Sequence, residues 1–265
     1  MKYSFVLPSE PFNIKKCDEA FLELFNEFKE RDIKVYLVDI ENLGSLKIFP
    51  SQIEGNNLIY KGWMLNSEQY ELLFKATKEN LIVKPQNYLN SHHSVYWYDN
   101  VKEFHAQSFY TTENNAKEDY KKLNLEKSFI KDYVKSLKTG KGSIVDSVED
   151  IDRAIKEMKQ YKGYIEGGIV FNEVLDLNMK TEIRTFVLNG KLYSNNELRK
   201  DQEEFLHKIV NLHHEYFYSI DIAEDKNGKL YLIEIGDGQV SDLVGWELHN
   251  FVDIFNEKKP QYKLK

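Results

Sequence analysis

With 265 residues, 42% of them hydrophobic and 30% charged, the chain is long enough for one large domain or two small ones around a substantial core. A net charge of −7 argues against a general nucleic-acid binder, whose affinity comes from neutralising phosphates, although lysines gather around 117–141. The single cysteine, Cys17, excludes an internal disulfide and a cysteine-rich metal site.

Residues Tyr3–Leu7 alternate and are rich in β-formers, and the apolar run they belong to, interrupted by Pro8, is too short for a signal-peptide core. No stretch of about 18 apolar residues occurs elsewhere, so the expectation is a soluble, cytoplasmic protein without a membrane partner. Asp18–Glu30 carries Phe21, Leu24, Phe25 and Phe28 at helical spacing, and Ile33–Asp39 reads as a strand. Together these form a β-α-β unit and predict a parallel pairing. Leu58–Tyr60 reads as a short strand leading into YKGWML. Asn66 or Ser67 then caps a helix through Tyr70, Leu73, Phe74 and Thr77, with Glu68 and Glu71 in its first turn. Leu81–Lys84 is strand-like, and residues 90–125 lack a clean period, so they read as connection apart from a helix around 113–122.

From Ser128 the pattern sharpens. Phe129–Val134 is a strand, LKTGKGS a Gly/Lys loop, Val148–Lys159 a helix with acids at its start, and Gly168–Leu175 a strand. Ile183–Leu188 and Lys191–Asn195 flank an Asn-Gly pair, the strongest short hairpin signal. Residues 200–214 are helical, and Tyr216–Ala223 and Lys229–Ile235 flank a turn with Asp225, Asn227 and Gly228. This order of elements is an α+β module, not a doubly wound sheet.

Three features carry chemistry. Asp221 and Glu234 sit on adjacent strands among Ile220, Ile222, Ile233 and Ile235, and side chains one position apart on a strand point to opposite faces. The two carboxylates therefore share a face, where a cation offsets their charge; two acids plus nucleotide phosphates are a common provision for Mg²⁺. The alternative is a strand pair with acids facing water. Lys131 sits in an apolar strand ahead of a loop with two glycines and several lysines, including Lys138. A strand lysine and backbone N–H groups of such a loop both suit phosphate oxygens, and a solvated turn is the plainer alternative. Glu182 and Arg184 enter the hairpin on one side, where Arg184 can bridge a phosphate or pair with a cross-strand acid.

In this order (strand lysine, glycine loop, helix, strand, Glu-x-Arg hairpin, Asp and Glu on the last two strands) the chain resembles the ATP-grasp superfamily. FIKDYVKS, GGIVFNEVLDL, EIRTFVLNGKLY, IEIGDGQVSDL and YKGWMLNSEQY resemble the blocks of its divergent clade named for two arginines and one lysine. A eukaryotic member, a cell-division-cycle protein, assists assembly of a translation initiation factor. The resemblance covers roughly 55–245 and implies an ATP-grasp fold of two α+β lobes gripping a nucleotide (residues 96–265), preceded by a small β-α-β pre-ATP-grasp-like region (1–95). It implies ATP and Mg²⁺ as cofactors. Lys131 would contact the α/β-phosphates, and Phe171–Asp176, with Asn172 and Val174, would form a hinge gripping adenine. Glu173 or Asp176 would approach the ribose, Arg184 would stabilise the transferring phosphoryl group, and Asp221 and Glu234 would hold Mg²⁺.

Three positions depart from the clade. Lys61-Gly62-Trp63 stands where Arg-Gly-Trp is expected, which keeps the charge and loses the bidentate fork. Asn172 stands where the hinge has arginine. Gly236 stands where an asparagine follows the metal glutamate, which makes Asp237 the third metal-ligand candidate, with Gln239 a further one. Lys61, Trp63, Lys138 and Gln239 are the substrate-side candidates. The expected function is an ATP-Mg²⁺-dependent ligase joining a carboxylate to an amine through an acyl phosphate, with a peptide or protein terminus as one acceptor. The rivals are an ATP-binding assembly chaperone without turnover and a nucleic-acid end-modifying enzyme, the latter disfavoured by net charge. His92-His93 and His213-His214 are expected to pack or face solvent, because adjacent side chains diverge. Trp63, Trp97 and Trp246 are expected as core anchors, and Cys17 is expected to pack on a helix.

Overall fold

The computed structural model describes residues 2–55, 57–123, 125–134 and 143–256. β1 (Ser4–Glu10) turns back into β2 (Asn13–Cys17), and a short 3₁₀ turn capped by Asp18 leads into α1 (Leu22–Glu30). β3 (Lys34–Val38), β4 (Ile48–Phe49) and β5 (Leu58–Tyr60) follow. β1 pairs in parallel with both β3 and β5, as the β-α-β pattern predicts, and antiparallel with β2 near its end. Six of the seven residues of β1 are buried, because a parallel strand flanked on both edges has no solvent face. Phe28 of α1 stacks on Phe5 with ring centroids 4.0 Å apart. Cys17 lies buried on β2 opposite Ser9, not on a helix, and burial pushes its thiol up to about 11.

α2 (Ser67–Ala76) begins with a capping box: Asn66 accepts from the Gln69 N–H, and Gln69 reaches back to the Asn66 N–H. Leu81–Lys84 is not a strand; only Leu81 bridges to Leu58. The stretch expected as connection holds the end of α3 (Pro85–His92), α4 (Ser94–Val101) and β6 (Ser108–Thr111), and α5 (Ala116–Leu123) falls where a helix is expected. Each of these three helices has eight residues, little more than two turns, which is too short for a 3.6-residue period to stand out. They are specified instead by what they bury, with Tyr88, Trp97, Val101 and Tyr120 inside.

β7 (Ser128–Asp132), β8 (Ile144–Val145), α6 (Val148–Lys162) and β9 (Ile169–Glu173) complete an antiparallel sheet of order β6-β9-β7-β8. Ile130, Ile169 and Phe171 point from it into a core closed by Tyr120, Ile151, Ala154 and Met158 of α5 and α6. The alternate positions Lys131, Val170 and Asn172 face the other way.

β10 (Leu177–Leu188), β11 (Lys191–Ser194), α7 (Lys200–Val210), β12 (Phe217–Asp225), β13 (Leu230–Asp237) and α8 (Leu248–Asp253) form the last module. Its sheet runs β11-β10-β12-β13, all antiparallel. Asn189 and Gly190 both take positive φ (50° and 73°), the twist that closes a two-residue hairpin. One face, with Val187, Ile220, Ile222, Leu232 and Ile235, packs on Trp97, Val101, Leu206 and Ile209. On the opposite face Phe186, Leu188 and Phe217, with Phe251 and Phe255, join the same core as Phe5, Phe28 and Tyr60. One core thus runs across the 95/96 division expected from sequence. No helix among the described residues is long and apolar enough to cross a membrane.

Candidate functional site

The site begins as a register. Arg184 on β10 lies opposite Asp221 on β12, which lies opposite Glu234 on β13. Because Ile220, Ile222 and Ile235 turn into the core, these three charged side chains occupy the opposite face in one row across the sheet. A bulge between Asp221 and Ile222 shifts the register immediately beside the row, and pairing resumes at Ile222 and Leu232.

Arg184 grips Asp221 with a fork: Nε donates to Oδ1 at 2.8 Å and Nη2 to Oδ2 at 2.5 Å. Its Nη1 donates to the backbone carbonyl of Asp242 at 2.9 Å, and its own carbonyl accepts from the Trp246 indole at 2.9 Å. Burial works against the guanidinium charge, but the hydrogen bonds and negative charge of Asp221 outweigh it and hold the group above its ordinary value. Asp221 is almost fully enclosed, whereas Glu234 keeps about a third of its side chain exposed.

Lys131 approaches from the other sheet. Its Nζ lies 3.8 Å from Oε1 of Glu234, so a cation of one lobe meets the carboxylate row of the other. Lys131, Val170 and Asn172 line the same side of their sheet. Asn172 is 8% exposed, and among the described residues its Oδ1 is a buried acceptor without a hydrogen-bond partner. A buried acceptor of this kind is costly unless a donor arrives. At the end of β9, Glu173 is exposed and Val174 half-buried, and a cleft of about 520 Å³ opens there between Gln107, Glu173, Leu175, Lys229 and Tyr231. Lys229 and Tyr231 were missed from sequence; Lys229 ends the β12–β13 turn and Tyr231 lies on β13, and only the pairing of β12 with β13 brings them to this cleft. Asp176 is exposed and pairs at 3.4 Å with Lys226 of that same turn.

Other candidates are placed elsewhere. Asp237 does not join Asp221 and Glu234: it pairs with Tyr218, three residues beyond Glu234, and so points to the opposite face of the strand. It is 1% exposed, and its Oδ1 accepts from the N–H of Gln239 at 3.0 Å and from the Gln239 amide at 3.1 Å. Burial pushes its carboxyl up to about 8. Gln239 is equally internal, donating to the Tyr70 hydroxyl at 2.8 Å and accepting from the Tyr60 N–H at 3.1 Å. Lys61 is buried too, and its ammonium donates to the carbonyls of Ser241 (2.6 Å) and Gln239 (3.3 Å). Lys61 and Gln239 therefore do not present themselves to a substrate; they tie the 239–242 turn, whose Asp242 carbonyl receives Arg184. Trp63 is neither a core anchor nor beside this row: it is 48% exposed, donates to Asp18 and meets Phe21 edge-on at 5.1 Å. Trp97 is a core anchor, and Trp246 is half-buried. Lys138 and the glycine loop lie outside the described residues.

The place expected for a third oxygen donor is filled differently. A Cβ on Gly236 would meet Ser241 Oγ at 2.9 Å and Ser219 Oγ at 3.0 Å, and these two hydroxyls hydrogen-bond to each other at 2.7 Å. A serine pair takes the space an asparagine would need. Sequence spacing offered no signal for it, because Ser241 arrives through a turn.

Two facing sheets with a lysine on one and an Arg–Asp–Glu row on the other are the frame of an ATP-grasp domain. The family profile described as ATP-grasp domain, R2K clade family 3, matches residues 98–254, and the chain belongs to that family. Among solved structures, the D-alanine-D-alanine ligase from Coxiella burnetii is similar with a TM-score of 0.61 at 10% identity, covering 96% of this chain and 94% of that one. D-cycloserine synthetase DcsG aligns with a TM-score of 0.61 at 10% identity over 94% of this chain and 97% of that one. The ATP-grasp ligase PsnB, complexed with a minimal precursor, aligns with a TM-score of 0.56 at 10% identity over 96% and 99%. At such identity these likenesses speak for the fold. A comparison with curated proteins returned no match.

Proposed function

We propose that the chain is an ATP- and Mg²⁺-dependent ligase that joins a carboxylate to an amine. The observation that carries this reading is the meeting of Lys131 with Glu234 across the two lobes, beside the Arg184–Asp221 fork. A lysine, an arginine and two carboxylates converging between sheets suit a polyphosphate with its metal, and little else that is common. Asp221 and Glu234 would hold Mg²⁺, a fit supported by their shared face and by the open side of Glu234; Mg²⁺ sites with nucleotides need only one or two carboxylates. Bound there, Mg²⁺ would neutralise developing charge on phosphate oxygens.

The protein's own groups have separable tasks in this reading. Lys131 would bind phosphate oxygens as a point charge, released from Glu234 as the metal takes that carboxylate. Arg184 would keep its Nε side on Asp221 and offer its remaining N–H groups to the transferring phosphoryl group. The unpartnered Oδ1 of Asn172 and the backbone of Glu173 and Val174 would receive the base. Acceptor carboxylate oxygen would attack the γ-phosphorus as the bond to the ADP oxygen breaks, giving an acyl phosphate and ADP; the amine would then attack the acyl carbon, phosphate would leave, and the amine would lose a proton. PsnB, whose structures include a precursor peptide complex, makes a peptide acceptor one candidate class.

Glu234→Gln tests this. ADP release should require both an acid and an amine acceptor, and the variant should lose it by about 100-fold or more, as removal of one preorganised electrostatic contact does. Full turnover by Glu234→Gln would sink the metal assignment. A second reading, an ATP-holding assembly factor without turnover, is favoured by Gly236 and Asn172, which remove a ligand donor and a charge from the site. There, Mg²⁺-ATP would raise Tm and no acceptor pair would release ADP.

A further inference from the structure

His92 and His93 are consecutive, an arrangement that regular helix or strand geometry turns apart. In the structure they converge. α3 stops at His92, and His93 leaves helical geometry (φ −102°, ψ 121°) before α4 begins. The break brings the two imidazoles to ring centroids 5.5 Å apart, correcting the expectation that they cannot share a site. Both meet Glu166, in the turn ahead of β9. His93 Nε2 lies 3.1 Å and His92 Nε2 3.7 Å from the same oxygen, Oε1 of Glu166. The three donors fall within 4.8 Å of one another, and the residues are 4%, 8% and 6% exposed.

We propose that His92, His93 and Glu166 form a binding site for one divalent transition-metal ion of the zinc class, distinct from the nucleotide cleft. Donors held about 2.0–2.2 Å from a tetrahedral ion stand roughly 3.3 Å apart, and the two measured separations bracket that figure. Two imidazoles and a carboxylate select zinc, cobalt or nickel over Mg²⁺, which takes oxygen ligands. The site lies behind the cleft. Glu166 N–H faces Oδ2 of Asp132 at 3.5 Å, and Asp132 follows Lys131 on β7, so it points to the opposite face of that sheet.

Charge supports the assignment. Asp132 is fully buried and reaches Glu166 at its backbone N–H, so the enclosed Glu166 carboxylate is the charge that a dication would offset. The surroundings also fix the ligands: Tyr88 stacks on His92 at 4.6 Å, Tyr96 on His93 at 6.0 Å, and the Glu166 carbonyl accepts from the Tyr133 N–H at 3.2 Å. The consequence is mechanical. The ion would rivet the α3–α4 joint, whose α3 packs on β13, to the sheet carrying Lys131. It would thereby hold Lys131 in position against Glu234.

The test uses tag-free, full-length protein purified without chelator, its metal content measured, then stripped and titrated with Co²⁺ and with Zn²⁺. About one equivalent of zinc-class metal, a visible d–d band with Co²⁺, and a higher Tm with Zn²⁺ but not with equal Mg²⁺ are expected. His93→Gln and Glu166→Gln, checked for folding by circular dichroism, should lose the band and the Tm rise. His207→Gln, an exposed histidine 3.7 Å from Glu203, should keep both. A wild-type protein with less than a tenth of an equivalent and no Co²⁺ band would overturn the proposal, leaving a proton-bridged His–Glu cluster. Folded variants that keep the band would overturn it equally.

Discussion

Replacing Asp237 with asparagine separates a buried acid from a metal ligand. The carboxyl is 1% exposed, and burial raises its pKa from 3.8 to about 8, against the opposing hydrogen bonds of Gln239 and the charge of Lys61. Below pH 4 both folded and unfolded chains hold the proton. Between pH 4 and 8 only the folded chain holds it, so stability is lost as pH rises through that window and levels off above it. A separation of about four units, at 1.36 kcal/mol each, makes the full loss about 5 kcal/mol. The asparagine side chain would keep the shape of the protonated acid, with its oxygen still accepting from Gln239. Urea denaturation at pH 5, 6 and 7 should therefore show wild-type stability falling by roughly 1.4 kcal/mol per unit more steeply than that of Asp237→Asn. The variant should be the more stable of the two at pH 7 and should keep any Tm rise caused by Mg²⁺-ATP. Equal slopes would refute the buried-acid reasoning, and loss of the Mg²⁺-ATP response with the fold intact would return Asp237 to the metal site.

Lys61 has the opposite sign: burial lowers its ammonium to about 8 from 10.5, so the folded chain gives up that proton first and stability rises from pH 8 towards 10.5. Lys61→Met should abolish that rise and, by leaving the Ser241 and Gln239 carbonyls without their donor, cost about 2–3 kcal/mol at pH 7; an unchanged urea midpoint would contradict the anchoring role. Arg184→Met leaves Asp221 enclosed without its fork and should cost about 3–5 kcal/mol, most of it recovered when Asp221→Asn is added. A double-mutant cycle reads this directly, and additive losses would show that the pair is not coupled.

Much of the site could be read before the fold. Alternation on the last strands placed Asp221 and Glu234 opposite the isoleucines, and the Asn189-Gly190 turn set the hairpin that carries Arg184, because strand periodicity and turn chemistry are local properties. The same parity, counted from Glu234 to Asp237, puts the latter on the far face, against its expected place as a third metal ligand. What the chain order left open was the partner of each face. Lys61 and Gln239 had the residue types of a substrate pocket, and packing against Tyr70 and the 239–242 turn made them internal supports. α3 and α4 were too short to show a period, and the break between them is what turns His92 and His93 onto Glu166, over 70 positions away. The sequence by itself determined which residues share a strand face and where the hairpins turn, since these follow from backbone geometry over a few positions. Only the tertiary structure decided that Lys131 of one sheet meets Glu234 of another, and that Ser219 and Ser241 fill the space above Gly236. Contacts between distant segments depend on how whole layers pack, and no local pattern encodes that distance.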